Sequence, residues 1–177
     1  MAAETRRPSR MEDEVQGLEE NLRAQLEGHR RLLKCIESCR EALRSADLER
    51  IASACEQEHA IAHEMGELEK TRLALVGTLT GRLHPLAPRP LALAQIAAGV
   101  GGAAGTRLAA IAADLRGVIE DVSRRSAVVR GAAEALSRHM AGIMQVVHGA
   151  LGRARVYGRR GRIQSSEQGQ FCIDVRT

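Results

Sequence analysis

The sequence predicts an all-α fold, and three observations support this prediction. The 177 residues include no Trp, one Tyr and one Phe, and both aromatic residues, Tyr157 and Phe171, lie near the carboxyl end. A β-sandwich or barrel normally draws on aromatic side chains, so this composition disfavours a β-rich fold. Ala, Leu, Glu and Arg, which favour helices, are abundant. Apolar residues also recur at alternating steps of three and four along stretches without proline, which is the spacing of one helix face.

The first helix is predicted from Glu12 to Arg44, a stretch that contains no proline. Its seam, the line of residues at alternating steps of three and four that is expected to face a partner helix, has nine positions. Seven of the nine are apolar, as in a coiled coil. Ser45-Ala46-Asp47 is then predicted to form a turn in which the Asp47 side chain caps the next helix. The seam comprises Val15, Leu18, Leu22, Gln25, His29, Leu32, Ile36, Cys39 and Leu43.

The second helix is predicted from about Leu48 to Leu83, and the short turn before it implies that the first two helices form a long antiparallel hairpin. Pro85, Pro88 and Pro90 end this helix because each lacks a backbone N–H and restrains the residue before it. The seam of the second helix is predicted to comprise Leu48, Ile51, Cys55, Ala62, Met65, Leu68, Leu73, Val76 and Leu79.

A short apolar helix, Leu91–Ala98, is predicted in the connection that follows the hairpin. The glycine-rich run Gly99-Val100-Gly101-Gly102 comes directly after it. A glycine-rich loop before a helix can cradle a phosphate, but no strand precedes this run and it lacks a Lys-Ser/Thr pair. The run therefore predicts a hinge or a corner.

The third long helix is predicted from about Thr106 to Leu151, with eleven of thirteen seam positions apolar. Four glycines interrupt it, each costing about 1 kcal/mol relative to Ala, so its second half should be looser than the hairpin. An amphipathic but weakly held helix is a candidate for exchanging partners. The glycines are Gly117, Gly131, Gly142 and Gly149. The seam comprises Leu108, Ile111, Leu115, Val118, Val122, Arg125, Val129, Ala132, Leu136, His139, Ile143, Val146 and Ala150.

Composition and charge restrict the class of protein. Residues 1–83 carry a net charge of −3 and residues 84–177 a net charge of +7. No aromatic residues are interleaved with the basic ones, so we predict no nucleic-acid partner. The uncharged stretch Pro90–Thr106 is mostly Ala and Gly and is too short and weakly apolar for a membrane span. Four cysteines in a chain of this length indicate a reducing compartment, so the cytoplasm is expected. We expect a disordered N-terminus over residues 1–10, a helical bundle over 11–152 and an irregular, flexible, basic tail over 153–177.

The sharpest candidate for a metal site is the set Cys35, Cys39, Cys55 and His59. Each pair is spaced i, i+4, and a hairpin folded about Asp47 places Cys39 opposite Cys55 and Cys35 opposite His59. Three thiolates and one imidazole are a permissible structural zinc set. Cys39 and Cys55 also occupy seam positions, where a free cysteine behaves as a small hydrophobe. We therefore predict no metal or other cofactor, with a zinc-binding helical bundle as an alternative.

No constellation of catalytic residues emerges from the sequence. Glu56-x-x-His59 is half of a di-iron carboxylate motif, but the later helix carries no second Glu-x-x-His. His29 and His139 replace apolar residues in their seams and could respond to pH. We predict that the protein is not an enzyme.

Several different short motifs follow one another in a characteristic order between Leu18 and Arg162. They are Leu32-Leu33, Glu41-Ala42-Leu43 and Asp47-Leu48 in the hairpin, Leu91-x-x-x-Gln95-Ile96-Ala97 in the connection, Arg107-Leu108 and Leu115-Arg116 in the third long helix, and Tyr157-Gly158-x-x-Gly161 in the tail. In this order the chain resembles the FlgN-type flagellar export chaperones.

The resemblance implies that the protein holds the C-terminal helices of hook-associated proteins in the cytoplasm. It would keep them from assembling early and deliver them to the flagellar type III export gate. The resemblance also implies that Tyr157, Gly158 and Gly161 dock on that gate, although Tyr157 could equally be a staple at the helix end.

The last helix is predicted to supply the client-binding groove, in which an amphipathic client helix would lie. The same residues could instead pack against the chain's own hairpin. A structural coiled-coil or adaptor protein without an export role would have similar helices and is the other alternative. The predicted groove residues are Val129, Leu136, Met140, Ile143 and Val147.

Overall fold

A computed structural model describes the backbone of residues 10–156 and the side chains of residues 10–151. The described residues form four helices and no strand. The helices are α1 (Arg10–Ser45), α2 (Leu48–Leu83), α3 (Leu93–Val100) and α4 (Gly102–Val156). The predicted all-α fold, with two long helices, a short helix and a third long helix, is confirmed.

The chain divides into two compact units, Met1–Gly131 and Ala132–Thr177. The first unit contains α1, α2, α3 and the first part of α4, whereas the described part of the second unit is the remainder of α4. The bundle predicted over residues 11–152 included no such division. None of the described helices is long and apolar enough to cross a lipid bilayer.

Helices α1 and α2 form the predicted antiparallel hairpin. The turn at Ser45-Ala46-Asp47 places Ala46 at a φ of 53°, and the Asp47 carboxylate accepts a hydrogen bond of 3.0 Å from the Arg50 backbone N–H. This cap satisfies one of the free N–H groups at the start of α2. The predicted Asp47 cap is therefore confirmed.

Ion pairs and hydrogen bonds cross the hairpin along its length. The Arg31 guanidinium lies 2.7 Å from the Glu64 carboxylate, and the Asn21 side-chain amide donates to the Leu68 carbonyl oxygen at 3.0 Å. Glu14, near the start of α1, lies 2.7 Å from Arg82, near the end of α2, as an antiparallel arrangement requires.

The core of the first unit lies where the hairpin meets α3 and the first part of α4. The α1 seam is buried or half-buried at every predicted position, which confirms its register. Buried residues of the core are Val15, Leu18, Leu22, Leu26, Val76, Leu79, Ile96, Ala97, Leu108 and Leu115.

The predicted seam of α2 was wrong at Leu48, Cys55, Ala62 and Leu73, which are all exposed. The residues that α2 buries in its first half include Ala54 and Ile61, each one position before a predicted seam residue. One residue turns a helix by about 100°, so this small change of phase moves a side chain from the interface to the surface.

The connection between α2 and α3 contains the three predicted prolines, and α2 ends at Leu83 as predicted. Helix α3 begins at Leu93, two residues later than predicted, because the residue before it, Ala92, is extended, with φ −65° and ψ 150°, and forms the N-cap. The Leu91 backbone N–H donates to the Thr80 hydroxyl oxygen at 2.9 Å. That bond holds Leu91 against α2, outside the helix.

The corner between α3 and α4 is shorter than predicted. Gly101 and Gly102 adopt φ values of 65° and 56°, a left-handed conformation that glycine adopts without steric cost. Gly99 and Val100 belong to α3 instead of a break, and α4 begins at Gly102, four residues before Thr106.

The first part of α4 is packed into the core of the first unit. Leu108 and Leu115 are buried, while Ile111 and Val118 pack against the same cluster from half-buried positions. Arg125, a predicted seam residue, is exposed and lies 3.8 Å from the Glu37 carboxylate of α1.

Candidate partner-binding surface

The second unit presents a line of exposed apolar side chains on α4. Leu136, Met140, Ile143 and Val147 follow one another at steps of four, three and four, so their side chains lie within about 60° around the helix axis. Each of these residues is between 41% and 54% exposed. We call these four residues the exposed stripe.

Further apolar residues widen the exposed stripe on both sides. Val146 is 69% exposed, and Met144 and Leu151 are also exposed. Together these residues cover about 160° of the helix circumference. A shallow depression of about 490 Å³ lies on this surface, lined by Arg138, His139, Gly142, Ile143, Val146 and Val147.

The same apolar spacing has different consequences in the two parts of α4. Leu108 and Leu115 are buried, whereas every described residue from Ala132 to Leu151 is exposed, including the predicted seam residues of that range. A contiguous apolar face of this extent is uncommon on a soluble protein unless it binds a partner. The exposed stripe is therefore the candidate functional surface.

Val129, the fifth predicted groove residue, lies in the first unit and is half-buried. The remaining four predicted groove residues are the exposed stripe itself. Tyr157, Gly158 and Gly161, the residues predicted to dock on the export gate, lie outside the described residues.

The polar side of α4 in the second unit carries few charges. Glu134 and Arg138 are its only ionised side chains between Ala132 and Leu151, with His148 on the same side. Gln145 faces directly away from the exposed stripe, about 180° from Leu136. The helix is therefore amphipathic, and its polar side carries few charged residues.

The candidate zinc ligands have different environments. The Cys35 thiol is buried and donates to the Ala54 carbonyl oxygen at 3.0 Å, Cys39 is half-buried, and Cys55 and His59 are exposed. Burial raises the pKa of the Cys35 and Cys39 thiols, which favours their protonated form. Within residues 10–151, no group of three or more His, Cys, Asp or Glu side chains is placed to hold a metal ion.

The two seam histidines also differ. His139 is exposed, whereas His29 is half-buried and its Nδ1 atom is buried without a hydrogen-bond partner. Burial lowers the pKa of His29. His29 therefore favours its neutral form inside the hairpin interface.

One interhelical pair was missed from the sequence. The Glu19 carboxylate on α1 is buried and accepts from Arg107 of α4. Glu19 lies beside the buried Leu18, a position where a seam analysis expects a surface residue. Only the placement of α4 reveals why a carboxylate is buried there.

Comparison with known proteins identifies the family to which this chain belongs. Residues 11–165 match the family described as FlgN protein. No curated protein and no solved structure matches the chain significantly. Since the family match spans most of the 177 residues and includes all four helices, the chain belongs to the FlgN family of flagellar export chaperones.

Proposed function

We propose that this chaperone binds the C-terminal helices of hook-associated proteins in the cytoplasm through the exposed stripe of α4. Bound in this way, the client helices are kept from assembling early and are delivered to the type III export gate. The observation that carries this proposal is the exposed stripe, four apolar side chains that share one face of α4 and are all exposed. The protein acts by binding, without catalysis.

The shape of the surface suits an amphipathic helix as its client. Residues at steps of four, three and four are the anchors that helix-in-groove recognition uses. Each large apolar side chain that becomes fully buried contributes roughly 1.5–3 kcal/mol before the cost of association is subtracted. Met140 and Met144 add unbranched side chains that adapt to clients of different shape.

The first experiment places a charge on either side of the same helix. Leu136→Asp and Ile143→Asp introduce a carboxylate into the exposed stripe, whereas Ala141→Asp introduces the same group on the polar side at an exposed position. Binding is measured by calorimetry against a peptide comprising the C-terminal helix of a hook-associated protein. We expect the stripe variants to weaken binding by at least about tenfold and Ala141→Asp to have little effect.

The same variants separate client binding from packing within the chain. If the stripe packed against the chain's own hairpin, Leu136→Asp would lower the urea midpoint of the free protein more than Ala141→Asp does. Equal urea midpoints together with equal client affinities for the two variants would contradict the proposal.

The second experiment concerns the tail. We propose that Tyr157, with Gly158 and Gly161, contacts the export gate, and the second aromatic residue of the chain, Phe171, offers a matched control. Tyr157→Ala is expected to abolish binding to the purified cytoplasmic domain of the gate and to leave client binding intact. Phe171→Ala should retain both activities. Equal gate binding by the two variants would rule out this role for Tyr157.

A further inference from the structure

Three glycines lie along one line of α4. Gly131, Gly142 and Gly149 are separated by 11 and 7 residues, so their positions agree within about 20° around the helix axis. This line is about 130–150° from the middle of the exposed stripe and about 100–120° from its nearest residue, Ile143. The glycines therefore lie off the exposed stripe, although Gly142 also lines the shallow depression beside Ile143.

Neither packing nor backbone conformation requires glycine at these three positions. A Cβ atom added at each would meet nothing within 4 Å. The only glycines of the described residues with positive φ are Gly101 and Gly102. Alanine would therefore fit at all three positions without strain.

Glycine at these positions weakens the helix. Replacing Ala by Gly in a helix interior lowers the equilibrium constant for helix formation about fivefold at each position. In most helices, tertiary packing compensates for such a loss of helix stability. In this segment it does not, because every described residue from Ala132 to Leu151 is exposed. Helix α2 also has three glycines in open space, yet it is held in the core by Val76 and Leu79.

We propose that Gly131, Gly142 and Gly149 set the affinity for the client by keeping the segment 132–151 in an equilibrium between helix and coil. This inference rests on the proposed function, since it takes the exposed stripe as the client site. Only the helical form presents the stripe as one face, so the apparent dissociation constant is the intrinsic constant divided by the helical fraction. Ordering of the segment reduces the net affinity, which permits release of the client at the export gate.

The test replaces the three glycines by alanine in the full-length protein. A matched control replaces Gly66, Gly77 and Gly81 of α2, which are equally open but lie in a helix held by the core. Far-ultraviolet circular dichroism and amide hydrogen exchange report on the free proteins. Calorimetry with the hook-associated peptide reports the dissociation constant.

We expect amides of residues 132–151 to exchange faster than those of α1 in the free protein and to become protected by the peptide. The α4 triple variant should gain helicity, slow this exchange and bind at least about tenfold more tightly, within the limit of about a hundredfold that three positions allow. The α2 triple variant should bind like the original protein.

Two results would overturn the inference. One is wild-type exchange in residues 132–151 that is already as slow as in α1. The other is an α4 triple variant that gains helicity while its dissociation constant stays unchanged. If the peptide bound neither the original protein nor the triple variants, the proposed function would be contradicted. Amide hydrogen exchange in the free proteins tests the helix–coil equilibrium separately, because it requires no peptide.

Discussion

Arg107 Nε lies 2.9 Å from Glu19 Oε1, and this pair joins α4 to α1 across the first unit. The Glu19 side chain is only 6% exposed, and it also accepts from Arg23 on its own helix at 3.2 Å. A carboxylate in this position depends on its partners, because an unpaired buried charge is costly. The pair therefore fixes the side of α1 against which α4 packs.

Removing Arg107 should destabilise the first unit. We expect Arg107→Ala to lower the free energy of unfolding by about 1–2 kcal/mol, since Arg107 is itself half exposed and Arg23 remains beside the carboxylate. Urea unfolding followed by circular dichroism measures this. The control is Arg116→Ala, an exposed arginine of the same helix, which should change the stability little. Equal losses in the two variants would show that the ion pair contributes nothing specific.

The corrected seam of α2 can be tested with two leucines. Leu79 is fully buried, whereas Leu73, which the sequence placed on the seam, is 53% exposed. Leu79→Ala should cost about 2–5 kcal/mol because it leaves a cavity in the core, and Leu73→Ala should cost less than about 0.5 kcal/mol. Denaturant unfolding of both variants is the measurement. A large loss in Leu73→Ala would support the seam predicted from sequence instead.

Gly105 should be intolerant of a side chain. A Cβ atom there would collide with the Ala97 carbonyl oxygen, so α3 and α4 would have to separate. We expect Gly105→Ala to destabilise the first unit by about 1–3 kcal/mol despite the better helix propensity of alanine. Gly117→Ala, on the same helix with nothing within 4 Å, should instead stabilise it by up to about 1 kcal/mol. Thermal unfolding compares the two, and a stabilised Gly105→Ala would contradict the close approach.

His29 should make stability depend on pH. Burial lowers its pKa from the usual 6.5, so the unfolded chain takes up a proton at a higher pH than the folded chain does. The contribution of His29 is therefore present above about pH 6.5 and is lost as the pH falls through its folded pKa.

The measurement is the urea midpoint between about pH 7.5 and about pH 5.5. His29→Leu should show a smaller decrease over this range than the original protein. His63→Leu, at an exposed position of α2, should retain the original decrease. If His29→Leu lost as much stability on acidification as the original protein, His29 would not be the group responsible.

Much of the fold could be predicted because its signals are local. The bounds of α2, Leu48–Leu83, follow from the Asp47 cap before it and the prolines after it, and both act within a few residues. The seam of α1 was predicted correctly because leucines mark it clearly. In α2 the choice between Ala54 and Cys55, or Ile61 and Ala62, changes the apolar pattern little, so the phase of the helix was set by contact with α1.

Identifying the candidate site required both the sequence and the tertiary structure. The sequence by itself determined that α4 is amphipathic and that the exposed stripe shares one face, because helical periodicity is a property of the chain. The tertiary structure decided that Leu115 is buried while Leu136 is exposed, although both occupy the same seam. The physical reason is that burial requires a partner surface, and a pattern along one helix does not specify where its partner lies.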